Sequence, residues 1–126
     1  MFHITPQIVA SDIRRSAEFY TRHFAFFVTQ VDPPEDPEFI ALEREESSLF
    51  LVSSASRTEA RRDMLQTQQW GIGVRLYFEV DDAAALYKQL REAGVPILRD
   101  LAVNEEENYT EFLISDPDGY EIGVYS

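Results

Sequence analysis

The stretch Ser115-Asp116-Pro117-Asp118-Gly119-Tyr120-Glu121-Ile122, close to the end of the chain, predicts a tight turn between two strands. Pro117 presets φ for the second position of a turn, and Gly119 can adopt a positive φ without steric cost. The aspartate side chains can accept hydrogen bonds from backbone amides across the bend. Short apolar runs flank the turn at 111–114 and 120–125, so we expect a hairpin that joins the last two strands.

This hairpin ends a predicted βαβββ unit over residues 72–126. Its first strand, 74–80, alternates apolar and polar side chains, which is the period of a strand with one buried face. Asp81 or Asp82 can cap the helix that follows, and Gly94 ends that helix. The other strands of the unit are predicted at 97–103, 109–115 and 120–125.

Residues 1–53 predict the same order of elements, with a first strand at 4–10 and a helix capped by Ser11 or Asp12. The other strands are predicted at 26–31, 39–44 and 48–53, and the polar segment 54–71 is the predicted linker. Neither unit can bury its sheet alone. We therefore expect one α+β domain over 1–126, in which two βαβββ modules form a curved, mostly antiparallel sheet around a cavity with the helices outside.

Composition limits the classes of partner and compartment. A chain of 126 residues with 44% apolar residues is long enough to form its own core. The formal charge of −12 disfavours nucleic acid and membrane surfaces as partners. It suits a cationic ligand, although solubility alone also accounts for it. Because the chain has no cysteine, no apolar run of the ~18 residues needed to span a membrane and no signal-like segment, we expect a cytoplasmic protein.

Two motifs carry a resemblance to a known family. The residues Asp12-Ile13-Arg14-Arg15-Ser16-Ala17-Glu18-Phe19-Tyr20 and the turn Asp116-Pro117-Asp118-Gly119 resemble the vicinal oxygen chelate superfamily. That superfamily contains glyoxalase I, the extradiol ring-cleaving dioxygenases, fosfomycin-modifying enzymes and the bleomycin-resistance binding proteins. The matching residues are turn, cap and core residues, so they indicate the fold and say little about the chemistry.

The resemblance implies where a metal would be held. In metal-dependent members, one residue on each of four strands supplies His, Glu or Gln to a divalent ion. Counted from the shared motifs, three of these positions hold Thr5, Arg75 and Gly123, and the strand 48–53 offers only Leu, Phe, Val and Ser. A fixed arginine cation also repels a divalent ion. We therefore expect no metal and no other cofactor.

A displaced metal site is the alternative. His3 precedes Thr5 by two residues, and Glu121 precedes Gly123 by two residues. Each would therefore lie on the same face of its strand as the position it replaces. With an ion there, the chain would be a glyoxalase-like lyase or a dioxygenase that uses the metal as a Lewis acid. Two ligands without a third give thin support, and a histidine near a terminus is more often exposed to solvent. The sequence suggests no Ser-His-Asp arrangement, so we assign no catalytic residue.

Side chains predicted to face the cavity form the candidate ligand site. If the apolar residues of strand 74–80 pack on the helices, the polar residues between them face inward. Gly123 would let a ligand approach the backbone of the last strand. The candidate ligand-binding residues are Gln7, Trp70, Arg75, Tyr77, Glu79, Glu121 and Tyr125.

These residues also have purely structural explanations. An ion pair of Arg75 with Glu79 or Glu121 could simply satisfy the interior. Trp70 could be an aromatic wall for a planar ligand, a core residue or a dimer contact.

The favoured hypothesis is a metal-free small-molecule binding protein that resembles the bleomycin-resistance branch and sequesters an antibiotic or toxin. The resemblance also implies a homodimer. The acidic charge and the tyrosines suit a cationic aromatic ligand, whereas Arg75 suits an anionic or carbonyl group, and the sequence leaves this conflict open. A third possibility is a regulatory or accessory domain whose dimer surface is its function.

Overall fold

The structure of the protein is a computed structural model that describes residues 1–55 and 70–126. The chain divides into two compact units, Met1–Trp70 and Gly71–Ser126. Most of the linker predicted at 54–71 lies outside the described residues.

The first unit has the predicted βαβββ order. Its elements are β1 (Gln7–Ala10), α1 (Ile13–Phe24), β2 (Phe27–Asp32), β3 (Phe39–Arg44) and β4 (Ser47–Ser53). The four strands form a sheet in the order β1-β4-β3-β2, in which β1 and β4 are parallel and the other two pairs are antiparallel. Strand β1 begins three residues later than the sequence predicts. Pro6 immediately precedes it and has no amide hydrogen to donate to a neighbouring strand.

Helix α1 is fixed at both ends by side chains. The Asp12 carboxylate accepts a hydrogen bond from the amide of Arg15 at 3.1 Å, which confirms one of the two predicted caps. At the other end, the Arg44 guanidinium donates to the carbonyl of Phe24 at 2.8 Å. Because Arg44 lies on β3, this bond identifies the sheet face that packs against α1. That face carries the fully or almost fully buried residues Ile8, Ile40, Leu42, Leu49 and Leu51.

The second unit repeats this order, as predicted. Its elements are β5 (Arg75–Glu79), α2 (Ala83–Glu92), β6 (Ile97–Asn104), β7 (Tyr109–Ser115) and β8 (Glu121–Tyr125). The sheet order is β5-β8-β7-β6, again with one parallel pair, β5 with β8. The α+β class and the two βαβββ modules are therefore confirmed. A single curved sheet around a cavity stays a prediction.

The turn between β7 and β8 has the predicted chemistry. Asp116 is buried, and its Oδ1 accepts hydrogen bonds from the amides of Asp118 at 2.9 Å and Tyr120 at 3.0 Å. Gly119 adopts a φ of 91°, a conformation that a residue with a Cβ rarely takes. These contacts set the register in which β8 returns along β7.

One face of the second sheet is an apolar core. The ring of Tyr87 on α2 meets the ring of Phe112 at 5.2 Å, so α2 covers this face. Phe112, Ile114, Ile122 and Val124 share the face and have no solvent exposure. Burying each such side chain contributes roughly 1.5–3 kcal/mol to folding. Strict alternation then directs the residues between them to the opposite face, where the candidate site lies.

Candidate functional site

The parallel register of β5 and β8 pairs the predicted site residues on one face of the second sheet. The Cα partners are Arg75 with Glu121, Tyr77 with Gly123 and Glu79 with Tyr125. Because partners in register project to the same face, the pairing brings one cation, two carboxylates and two tyrosines onto the surface opposite α2.

Arg75 is held by two hydrogen bonds on this face. Its Nε lies 3.0 Å from Oε2 of Glu121, and its Nη1 donates to the hydroxyl of Tyr77 at 3.1 Å. The hydrogen bond to Tyr77 and then the one to Glu121 raise the pKa of Arg75 above its ordinary value, so the guanidinium stays charged. The two charged side chains keep 35% and 43% of their surface exposed, which leaves both within reach of a ligand.

The ring of Tyr77 covers Gly123. A Cβ added to Gly123 would lie 2.5 Å from Cε1 and 2.7 Å from Cδ1 of Tyr77, closer than real Cβ atoms come to a neighbour. Gly123 therefore makes room for a side chain of the same unit. The tyrosine ring occupies the space through which a ligand was expected to approach the backbone, and that expectation stays a prediction.

The two tyrosines form an aromatic pair beside the ion pair. The rings of Tyr77 and Tyr125 meet edge to face, with centroids 6.1 Å apart. The guanidinium carbon of Arg75 lies 5.9 Å from the centroid of the Tyr77 ring, within the range of a cation–π contact. Tyr77 remains 51% exposed, and Glu79 is exposed at the end of β5. The surface thus combines aromatic area with a few fixed polar atoms.

A second ion pair lies on the same face and was not predicted from the sequence. Arg99 on β6 contacts Glu111 on β7 at 2.6 Å, and the Cα partner of Glu111 across β7 and β8 is Tyr125. Both charged residues line an open groove of about 620 Å³ together with Tyr109. The sequence did contain one signal, the carboxylate of Glu111 at the start of the apolar run 111–114. Strand alternation places it on the face opposite Phe112 and Ile114, together with the other residues of the candidate site.

Two predicted site residues belong to the first unit. Gln7 is exposed on β1 opposite Phe50. Trp70 is partly buried, and its indole Nε1 is fully buried without a hydrogen-bond partner among residues 1–55 and 70–126. The assignment of Gln7 and Trp70 to a ligand site stays a prediction.

The side chains at the implied metal positions do not fit a divalent ion. Gly123 offers no donor and its side-chain space holds a tyrosine ring, while Arg75 brings a guanidinium cation. Thr5 is half-buried ahead of β1. In the alternative site, His3 is exposed and the Glu121 carboxylate is bound to Arg75. The described part of the chain contains no group of three or more His, Cys, Asp or Glu residues that could hold a metal ion.

Comparison with known proteins identifies the family. The model of the Glyoxalase/Bleomycin resistance protein/Dioxygenase superfamily matches residues 1–124. The chain belongs to this superfamily. The superfamily name spans enzymes and a binding protein, so membership leaves the activity of this chain open. No curated protein sequence matches the chain.

Solved structures share the fold at low sequence identity. An integron cassette protein of V. cholerae has a TM-score of 0.74 and 22% identity, over 99% of this chain and 94% of that one. TioX from Micromonospora sp. ML1 has a TM-score of 0.76 and 15% identity, over 99% and 98% of the two chains. Lactoylglutathione lyase from Agrobacterium tumefaciens has a TM-score of 0.73 and 17% identity, over 98% and 92%. At these identities the likeness concerns the fold alone. Within the described residues, neither helix has the length and apolar character to cross a membrane.

Proposed function

We propose that the protein binds a small molecule on the exposed face of β5 and β8 and holds it unchanged, as an antibiotic- or toxin-sequestering protein does. The observation that carries the proposal is the fixed polar cluster of Arg75, Glu121 and Tyr77 beside the aromatic pair of Tyr77 and Tyr125. Ligand sites typically combine aromatic surface with a few well-placed polar groups. The pairing of β5 with β8 places both kinds of group side by side on one face of the sheet.

The state of Arg75 favours binding over catalysis. A guanidinium that stays protonated cannot act as a general base, and it repels the divalent ion that a lyase or dioxygenase of this superfamily would use. It can still donate hydrogen bonds to a ligand and support an aromatic ring. Glu79 belongs to the proposed site as a further contact, and the homodimer implied by the superfamily belongs to the same proposal.

A ligand screen tests the proposal. The purified protein is incubated with planar aromatic compounds of positive, neutral and negative charge, and its melting temperature is measured for each. A ligand at one hundred times its Kd should stabilise the folded state by about 2.7 kcal/mol. Equilibrium dialysis should then show the compound retained, and mass spectrometry should recover it unchanged.

A matched pair of aromatic substitutions locates the site. Tyr77→Ala should weaken binding by roughly 3- to 10-fold, because an aromatic contact contributes about 0.5–1.5 kcal/mol. Phe27→Ala removes an aromatic ring of similar exposure, 56% against 51%, from the first unit and should leave the affinity unchanged.

Three results would contradict the proposal. One divalent ion bound per chain together with turnover of the compound would identify a metal-dependent lyase or dioxygenase instead. Equal losses from both aromatic substitutions would place binding elsewhere. If no compound in the screen binds, a regulatory or accessory domain whose function is its dimer surface becomes the better hypothesis. Light scattering then measures whether the protein is a dimer.

A further inference from the structure

We infer that the Arg75–Glu121 ion pair sets the charge selectivity of the proposed site, and that the intact pair selects an uncharged head group that both donates and accepts hydrogen bonds, such as a primary carboxamide. This inference rests on the proposed function and assigns its ligand class. It removes the conflict between the acidic charge of the chain, which suits a cation, and Arg75, which suits an anion.

The hydrogen bonds of the pair leave the Nη2 group of Arg75 and Oε1 of Glu121 available to a ligand. Arg75 uses Nε toward Glu121 and Nη1 toward Tyr77, while Glu121 uses Oε2. Within residues 1–55 and 70–126, Nη2 of Arg75 and Oε1 of Glu121 make no hydrogen bond. A guanidinium carries five N–H donors and a carboxylate has two accepting oxygens, so both groups keep unused capacity.

The opposite charges of the pair lie too close together for a charged ligand to contact only one of them. A carboxylate that approached Nη2 of Arg75 would also approach the carboxylate of Glu121. An ammonium that approached Oε1 of Glu121 would also approach the guanidinium. A carboxamide meets neither repulsion, because its carbonyl can accept from Arg75 and its NH₂ can donate to Glu121.

The neighbouring rings determine what the head group is attached to. Tyr77 is bound to Arg75 through its hydroxyl, and its exposed ring continues to Tyr125. A flat aromatic body on these rings would place an attached head group beside the ion pair. The chemical class that fits is therefore a planar aromatic amide or a heterocycle with an adjacent donor and acceptor.

Three probes with one ring system test the inference. They are naphthalene-2-carboxamide, 2-naphthoate and 2-naphthylmethylammonium, and their affinities are measured by titration calorimetry at neutral pH. The wild-type protein should bind the carboxamide roughly 3- to 10-fold more tightly than either charged probe, which corresponds to about one net hydrogen bond.

Breaking the pair from either side should shift the preference in opposite directions. Glu121→Gln leaves the Arg75 cation without its partner and should make 2-naphthoate the preferred probe. Arg75→Gln leaves the Glu121 carboxylate and should make 2-naphthylmethylammonium the preferred probe. Arg75→Lys keeps the charge and should keep the carboxamide first.

As a control, the same two kinds of substitution are made in an ion pair outside the proposed site. Glu18 and Arg22 form an exposed ion pair at 4.0 Å on α1 of the first unit. Glu18→Gln and Arg22→Gln should leave the order of the three probes unchanged. Melting temperatures show that each variant is folded, as expected for substitutions at partly exposed positions.

The possible failures are distinguishable. A wild-type preference for a charged probe, or equal shifts in both pair-breaking variants, overturns the inference while small-molecule binding stands. If other planar compounds bind but none of the three probes does, the inference is also overturned and small-molecule binding stands. If no compound binds at all, the inference and the proposed function fail together.

Discussion

The two units share one order of elements and differ in the sheet face that points away from the helix. In the first unit that face is largely apolar: the rings of Phe39 and Phe50 meet at 5.0 Å, and Val52 has no exposure. In the second unit the corresponding face carries two ion pairs and the aromatic pair of Tyr77 and Tyr125. The helix-covered faces, by contrast, are apolar cores in both units. The face that packs against the helix is thus alike in the two units, whereas the opposite face differs in chemical character between them.

The contrast is clearest where each parallel pair of strands begins. In the first unit this position pairs Gln7 with Phe50, whereas in the second it pairs Arg75 with Glu121. The same backbone arrangement thus supports an amide beside an aromatic ring in one unit and a charge pair in the other. This difference is why the proposed binding surface lies on the second unit.

The largest expected effect tests the shared, helix-covered faces. Leu51 on β4 and Ile122 on β8 are both fully buried on these faces. Replacing either by alanine should lower the free energy of unfolding by about 2–5 kcal/mol, because a cavity remains in a packed core. Urea denaturation of the two variants measures the loss.

The neighbouring residue on the opposite face is the control for the second unit. Glu121→Ala removes one member of a partly exposed ion pair, and such pairs contribute about 0–1 kcal/mol. A loss comparable to that of Ile122→Ala would mean that Glu121 is part of the core, and the proposed division between the two faces would not hold.

A smaller effect is expected from Gly123→Ala. The added Cβ would lie 2.5 Å from the Tyr77 ring, so the ring must move, and such overpacking costs about 1–3 kcal/mol. In a Tyr77→Ala background the same substitution should cost much less, because the obstructing ring is gone. A double-mutant cycle by urea denaturation measures this coupling. Independent effects of the two substitutions would show that the ring does not rest on Gly123 in solution.

The sequence predicted the fold well because its signals are local. Alternation in β5, the caps at Asp12 and Asp82 and the turn at Asp116 each depend on residues within a few positions of one another. Such local preferences point to the same element order in both units, and the structure confirms that order. The start of β1 was wrong by three residues. The predicted strand 4–10 includes Pro6, which has no amide hydrogen to donate, and the observed strand begins after it at Gln7.

The site was predicted less completely because it depends on register between distant strands. The sequence left Glu79 and Glu121 as alternative partners of Arg75. The structure pairs Arg75 with Glu121, its direct neighbour across β5 and β8, whereas Glu79 lies four residues along the strand, about 13 Å away. The Arg99–Glu111 pair was missed because β6 pairs with β7 through register shifts, which the sequence does not reveal.

The smallest expected effect is on the pH dependence of stability. It concerns the first unit only, because both histidines of the chain, His3 and His23, lie there. Burial and then the neighbouring Arg22 lower the pKa of His23 below 6.5, so protonation is less favourable in the folded than in the unfolded state. The stability associated with the neutral ring is therefore complete above pH 6.5 and is lost as the pH falls toward the folded-state pKa. The melting temperature should drop slightly more between pH 7.5 and about 5.5 in wild type than in His23→Gln, with His3→Gln as the exposed control. Identical pH profiles for wild type and His23→Gln would assign the pH dependence to the many carboxylates, and the histidine of α1 would have no part in it.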